Sequence, residues 1–549
     1  MMKCLTMMFA AVGAVLSSAS AKIINCPTCS QDDFEDAVYH KAAAGDTIVL
    51  PAGAATWGNG SRFNKGVIYL TTPSLTVMGQ GDSTVITLDD TGATYANGVI
   101  SLWTNGTIEN LKIVGSSAAP VTAFQIQPYG TFTNGFRLTN ITYVGGKADA
   151  YFAYVGSEIS SGLIDNCRIT GNSPSAELIF GRGPSGAWQQ NNTMGTANNI
   201  FIEDCVFNNS GYVCDANANA QFVVRFNTIN GPSKVDGHGL ASNSPAHSFR
   251  NMEVYGNHWT NTTPAWTAIE IRGGTSMVFN NVCDNTGGGS AAWFLFTEYG
   301  YQALWGNFGT TISSITTGPT PTVTTAWASG IGVGWPILVI TPNTTPPLNI
   351  ATGPTAVANS TTFTIPNAIT AGGGPNQVNS LIERYLTPAD YPIKDQVGVG
   401  KDPKTGGSEP AYVWNNRKNG AAWTRNFWTP AVGAINLYKI QTGNSNATFV
   451  EADVIKSNRD FFADAGFDTN AGVSVGTTAQ MNALKPTVNN YGFWVTDQGN
   501  WKSGAAGTSG LLYTWSTASQ TWTLKYTPFT YPHPMRAVPA PTGLHVVPN

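Results

Sequence analysis

The chain has 549 residues, a formal charge of −4 and only 11% charged residues, against roughly 25% in ordinary soluble domains. With no basic stripe to neutralise a phosphate backbone, the composition argues against a nucleic-acid partner. A 42% hydrophobic share and 60 glycines argue against disorder and suit short strands and turns better than long helices.

Residues 1–21 read as an export signal. Lys3 precedes an apolar run from Leu5 to Leu16 that is too short to span a bilayer, and Ala19-Ser20-Ala21 fits the small-x-small cleavage pattern. The expected mature chain starts at Lys22 and is secreted, extracellular or periplasmic, with no membrane span. Six cysteines remain, namely Cys26, Cys29, Cys167, Cys205, Cys214 and Cys283. An exported even set permits disulfides without fixing their pairing. Cys26-Pro-Thr-Cys29 reads as a local clasp or two free thiols.

Ser30 and Asp33 form a capping-box pattern, and Phe34, Ala37, Val38 and Ala42 fall on one helical face. GDTIVLPAG (45–53) follows as helix stop, strand and turn. Beyond it, six-residue segments recur: IENLKI (108–113), LTNITY (138–143), IDNCRI (164–169), IEDCVF (202–207), VRFNTI (224–229), VYGNHW (254–259), VFNNVC (278–283) and VWNNRK (413–418). The first seven starts are 30, 26, 38, 22, 30 and 24 residues apart. Each segment reads as a short strand, an Asn or Asp corner in the left-handed conformation, and a second short strand. Stacked coils of this kind would bury a core that no single coil can bury, with the amphipathic helix plugging the first coil.

The capping helix, GDTIVLPAG and the Asn-cornered coils resemble right-handed parallel β-helix proteins of the pectate-lyase superfamily. The likeness covers roughly residues 22–310 and resumes near 376–420. GLIDNC (162–167) and RGGTSMVFNN (272–281) are similar to segments of exported bacterial β-helix proteins. The resemblance implies the fold and a leaning towards polysaccharides, but no particular reaction. The expected architecture is all-β. It comprises a β-helix with an N-terminal cap over 22–309, an inserted small β module over 310–375, a β-helix continuation over 376–420, an aromatic-rich β module over 421–538, and a Pro-rich tail over 539–549. The insert reads as a surface spacer, or as a sugar-binding module with Trp327 and Trp335 as stacking platforms.

Two constellations could carry chemistry. In the first, the second place of the hexamers runs Glu109, Thr139, Asp165, Glu203, Arg225, Tyr255 and Phe279 and should face outward. In register, Asp165 and Glu203 would sit about 4.8 Å apart and repel unless protonated or bound to a cation, for which Ca²⁺ suits the oxygen ligands. The 38-residue gap before Glu203 leaves room for an extra coil. By the family resemblance, Arg225 would be the base beside such a metal; the plainer alternative is a charge ladder with Arg225 paired to Glu203. The second constellation comprises Asp215, Asp236, His238, Arg250, Glu253, Glu270 and Arg272. VDGHG (235–239) places Asp236 and His238 on a Gly-flanked turn, and His is a natural acid or base near neutral pH. Arg250 and Arg272 could hold a carboxylate, and Glu253 and Glu270 could do glycosidase work; structural salt bridges are the alternative. The expected function is binding of an extracellular polysaccharide, with β-elimination or hydrolysis as its enzymatic form. The rival is a non-catalytic structural or adhesive surface protein.

Overall fold

The computed structural model describes residues 21–537, except 59–66, 89–98, 116–120, 128–134, 147–150, 172–177, 209–210, 232, 240–246, 262–267, 286–293, 297–309, 327–332, 334–336, 360, 376–380, 385–394, 396, 399, 401–407, 425 and 428–454. Each hexamer forms two short strand segments meeting at a corner. The third residue of the hexamer makes that corner: Asn110, Asn140, Asn166, Asp204, Gly256, Asn280 and Asn415 have φ of 52–67°, a region these residue types tolerate. Phe226 occupies the same place with φ of 56°, where a bulky side chain is an outlier.

The first place of each hexamer points inward. Ile108, Leu138, Ile164, Ile202, Val224, Val254, Val278 and Val413 pair in register up the stack and are buried. The fourth place is also inward. Leu111, Ile141, Cys167 and Cys205 fill it in the early coils, and Asn227, Asn257, Asn281 and Asn416 fill it later. These asparagines form a buried ladder. The Nδ2 of Asn227, Asn257 and Asn281 donates to the Oδ1 of the next coil at 2.9, 3.0 and 2.9 Å, and also to the carbonyls of Ile202, Val224 and Val254. Such pairing offsets the cost of burying amides.

Each coil then adds a third strand, so three parallel sheets enclose one apolar core. The first sheet contains Gly162–Asp165, Ile200–Glu203, Gln221–Arg225, Asn251–Tyr255 and Thr275–Phe279. The second contains Arg168–Thr170, Val206–Asn208 and Thr228–Asn230. The third contains Ile68–Leu70, Ile100–Leu102, Phe124–Ile126, Ala153–Val155, Ile179–Gly181, Tyr212–Ala216, Lys234–Gly237 and Ile269–Ile271. The chain is a right-handed parallel β-helix, the hand that such crossovers take. Asp165 pairs directly with Glu203, so the long gap between them holds no further coil; residues 182–199 loop outward and carry a short helical turn, Ala187–Gln189.

Helix Gln31–Asp36 closes the first coil, capped by Ser30, whose hydroxyl accepts from Asp33 N at 3.2 Å. Its Phe34 stacks on Trp57 at 4.8 Å. An eight-stranded antiparallel module is inserted between coils and runs from Thr310 to Arg384, so its last strand, Leu381–Arg384, lies beyond residue 375. Trp327 and Trp335 lie outside the described residues, as do residues 1–20 of the expected export signal and the expected tail over 539–549. The coils continue through Ala411–Trp414, Asn426–Phe427 and Phe461–Ala463, past the expected boundary at 420. A smaller four-stranded module follows, with strands Val473–Gly476, Gly492–Val495, Leu511–Ser516 and Thr521–Tyr526. It lies against the outer face of the first sheet, where Phe279 stacks on Trp414 at 4.4 Å and meets Trp494 at 5.0 Å. The six described cysteines are buried free thiols. No helix among the described residues is long and apolar enough to cross a membrane.

Candidate functional site

The third sheet is built from three-residue apolar–X–apolar units, such as Phe124-Gln125-Ile126 and Ile269-Glu270-Ile271. Period two turns the middle residue outward. In register these residues form one column: Tyr69, Ser101, Gln125, Tyr154, Phe180, Asp215, Asp236 and Glu270. Seven steps of 4.8 Å make it about 34 Å long.

The first five rungs of the column carry three aromatic rings, with the buried Ser101 and Gln125 between Tyr69 and Tyr154. Tyr69 meets Trp103 edge-on at 4.6 Å, and Trp103 Nε1 donates to Ser101 Oγ at 2.9 Å. Tyr154 stacks on Phe180 at 5.2 Å and 19°, with Tyr151 5.6 Å from Phe180. All three rings are partly exposed. The exposed Arg182 places its guanidinium 5.8 Å from the Phe180 ring centre.

The late half is charged. Arg272 forks onto Asp236, with Nε donating to Oδ1 at 3.1 Å and Nη2 to Oδ2. Lys234 Nζ lies 2.6 Å from Glu270 Oε2, 3.4 Å from Asp236 Oδ2 and 4.3 Å from the centre of the Tyr212 ring. His238 Nδ1 lies 3.2 Å from Asp215 Oδ1 and 3.0 Å from Arg272 Nη2. Burial alone would push the Asp236 carboxyl up, but the charges of Arg272, Lys234 and His238 outweigh it and hold the group below its ordinary value. Glu270 goes the other way, raised by burial and by the Asp236 charge beside it. The ligand atoms of Asp215, Asp236 and His238 lie within 4.8 Å of one another. Two carboxylates and an imidazole could hold a divalent ion of the zinc or manganese type, though Arg272 already contacts Asp236 and His238.

Five of the seven residues of the second constellation are therefore neighbours: Asp215, Asp236, His238, Glu270 and Arg272. Arg250 is elsewhere. It is fully buried, pairs with Glu409 at 2.7 Å, donates to the carbonyls of Ala187 and Gln190, and lies over the Trp188 ring. Its role here is to anchor the 182–199 loop. Glu253 is fully buried on the first sheet, beneath the C-terminal module, where it accepts from Gly195 N at 2.7 Å and from the Tyr526 hydroxyl. Burial pushes its carboxyl up to about 7 despite these bonds. The seven thus line no single groove. Lys234 and Tyr212 escaped the sequence reading, although Lys234, Asp236 and His238 alternate in KVDGH and so share a face.

The other column also has the expected register, Asp165–Glu203–Arg225, but it is not exposed. Residues 527–537 run across it, and all three side chains are fully buried. Arg137 forks onto Asp165 at 2.9 and 3.0 Å, Arg225 Nε donates to Glu203 at 2.7 Å, and Arg536 Nε lies 2.9 Å from Glu203 and 3.2 Å from Asp165. Guanidinium groups hold the carboxylates expected to take Ca²⁺. Arg225 is similarly occupied, donating to Tyr255 Oη and to the carbonyls of Phe529 and Thr530, and does not stand as a free base.

No protein-family model matches the chain, and no curated protein matches it. Among solved structures it is similar to pectin methylesterase PemA from Erwinia chrysanthemi, at 10% identity and a TM-score of 0.30, over 51% of this chain and 81% of that one. It is also similar to an alginate lyase from a Paenibacillus species, at 16% identity and 0.31, over 50% and 97%. A pectin methylesterase in complex with a hexasaccharide gives 11% identity and 0.29, over 50% and 80%. Likeness at this level says nothing of substrate.

Proposed function

We propose that the chain is an exported protein that binds an extracellular polysaccharide along the outer face of its third sheet. The supporting observation is the continuous column in which the partly exposed rings of Tyr154 and Phe180 run into the Asp215, Asp236, His238, Glu270 and Arg272 cluster. Aromatic faces take the apolar faces of sugar rings, and a few convergent polar groups fix orientation. The column's length suits a linear polymer better than a small metabolite. Any cleavage belongs to the charged end, where the Asp236 carboxyl is held below its ordinary value and the neighbouring Glu270 carboxyl is pushed above its own, the direction of separation that acid–base chemistry uses. Their ion pairing and near-complete burial favour binding over cleavage, which keeps the non-catalytic surface protein as the second reading.

Affinity electrophoresis against a panel of neutral and uronate-containing polysaccharides tests the proposal. At least one should retard the protein, and Phe180→Ala should weaken that retardation at least tenfold. Unsaturated chain ends or new reducing ends in the same samples would report cleavage. If no member of the panel retards the wild type, the proposal fails.

A further inference from the structure

A second concavity lies away from the third sheet, where three successive corners of the solenoid meet the C-terminal module. It is a cleft of about 400 Å³, lined by Phe226, Tyr255 and Asn280 on one side and by Trp501, Lys502 and Thr508 on the other. This volume is within the range of small-ligand sites, about 300–1,000 Å³.

Two features set it apart from ordinary packing. Phe226 stands at a left-handed corner where the neighbouring coils use Asp204, Gly256 and Asn280, a choice that costs on the order of 1 kcal/mol or more in backbone strain. Gly256 accommodates it, since a Cβ there would come within 2.6 Å of the Phe226 ring. Lys502 is the only charged residue in the lining. Its ammonium lies 4.7 Å from the Phe226 ring centre and, among the described residues, forms no ion pair. By contrast, the polar tips of the other aromatics are already used. Tyr255 Oη takes the Arg225 guanidinium at 2.9 Å, and Trp501 Nε1 donates to the Gly510 carbonyl at 2.9 Å. Tyr255 and Trp501 are buried, so the ring surface open to the cleft is that of the half-buried Phe226; beside it stand one unpaired cation, the Thr508 hydroxyl and the Asn280 amide, whose Oδ1 already accepts from Asn415 Nδ2 at 2.6 Å.

We propose that this cleft binds a singly charged anionic pyranose, a sugar ring bearing one carboxylate or sulfate. Lys502 takes the anionic group, the half-buried Phe226 ring takes the apolar sugar surface, and Asn280 Nδ2 and the Thr508 hydroxyl reach its hydroxyls. The site is separate from the third-sheet column, so it stands or falls independently of polysaccharide binding there. The ligand could be a free sugar or the terminal unit of a chain.

Isothermal titration of the full chain with glucuronate, glucose 6-sulfate and glucose tests this. At least one anionic sugar should bind and glucose should bind at least tenfold more weakly. Lys502→Met should abolish that difference, Lys502→Arg should keep it, and Phe180→Ala should leave it unchanged. A uronic-acid oligosaccharide binding with the same stoichiometry and the same dependence on Lys502 would identify the chain terminus as the source; binding of the free sugar alone would identify the monosaccharide. Phe226→Asn, which suits the corner backbone, should lose the ligand while the thermal midpoint confirms folding. No binding of either anion, equal binding of glucose, or indifference to Lys502→Met would overturn the proposal.

Discussion

Two buried ionisable groups at the junction between solenoid and C-terminal module should make stability depend on pH in opposite directions. Glu253 has its carboxyl raised from 4.5 to about 7, by burial above all. Folding therefore favours its protonated form. The full stability is present below about pH 4.5 and falls as pH rises to about 7, by roughly 3 kcal/mol. His533 has its imidazole lowered from 6.5 to about 4, by burial and then by the nearby Arg225 charge. Its neutral Nδ1 accepts from Met535 N at 3.1 Å. Folding favours that neutral form, so the full stability is present above about pH 6.5 and is lost towards about pH 4, again by roughly 3 kcal/mol. Between pH 4.5 and 6.5 the two effects largely cancel in the wild type. Glu253→Gln should leave the His533 effect unopposed, so that stability climbs with pH relative to wild type. His533→Asn should make it fall. Urea midpoints followed by tryptophan fluorescence at pH 4.5, 5.5, 6.5 and 7.5 measure both slopes. If the Glu253→Gln profile ran parallel to the wild type, the buried-acid reasoning would be refuted.

Other substitutions probe the packing. Arg225→Met should cost about 3 kcal/mol in urea unfolding, because it leaves the buried Glu203 short of a partner; a neutral effect would show that the pair adds little. Asn257→Ala removes the middle of the amide ladder and strands the Asn227 backbone amide, which donates to Asn257 Oδ1 at 3.1 Å. A loss of about 2 kcal/mol is expected from the denaturation midpoint. Gly181→Ala would set a Cβ 2.2 Å from the Phe222 ring, and the overpacking should lower stability by about 1–3 kcal/mol.

The corners and the register of the solenoid were legible in the sequence because both are local. An Asn that tolerates positive φ, flanked by inward apolar residues, states its own conformation, and stacking follows from the hexamers alone. That is why Asp165, Glu203 and Arg225 align as expected. Their solvent exposure was not legible, because the cover comes from far away in sequence, as when Arg225 meets Phe529 across 304 residues. A clue was present nonetheless: the outward second place turns aromatic at Tyr255, Phe279 and Trp414, as suits a covered face. The third sheet was harder to see, since its strands are mostly three residues long and reached by connections of varied length. Asp236, Glu270 and Arg272 were found through their charge. Tyr154 and Phe180 were missed because one outward aromatic in an apolar triplet looks like core. Glu253 and Arg250 were misplaced for a related reason: nearness in sequence put them beside the cluster, whereas the coil carries them round to other faces.

The Asn281–Asn416 bond spans 135 residues at 2.9 Å, whereas the Asn257–Asn281 bond spans 24 residues at 3.0 Å. The rungs above and below the antiparallel insert meet as though it were absent. Lengthening a closed loop by that ratio costs only about 1.5 kcal/mol. The solenoid thus tolerates cargo: a whole folding unit can be spliced between two storeys without disturbing the masonry on either side. A scaffold with that property can acquire, exchange or shed appendages while the surface along its length is preserved.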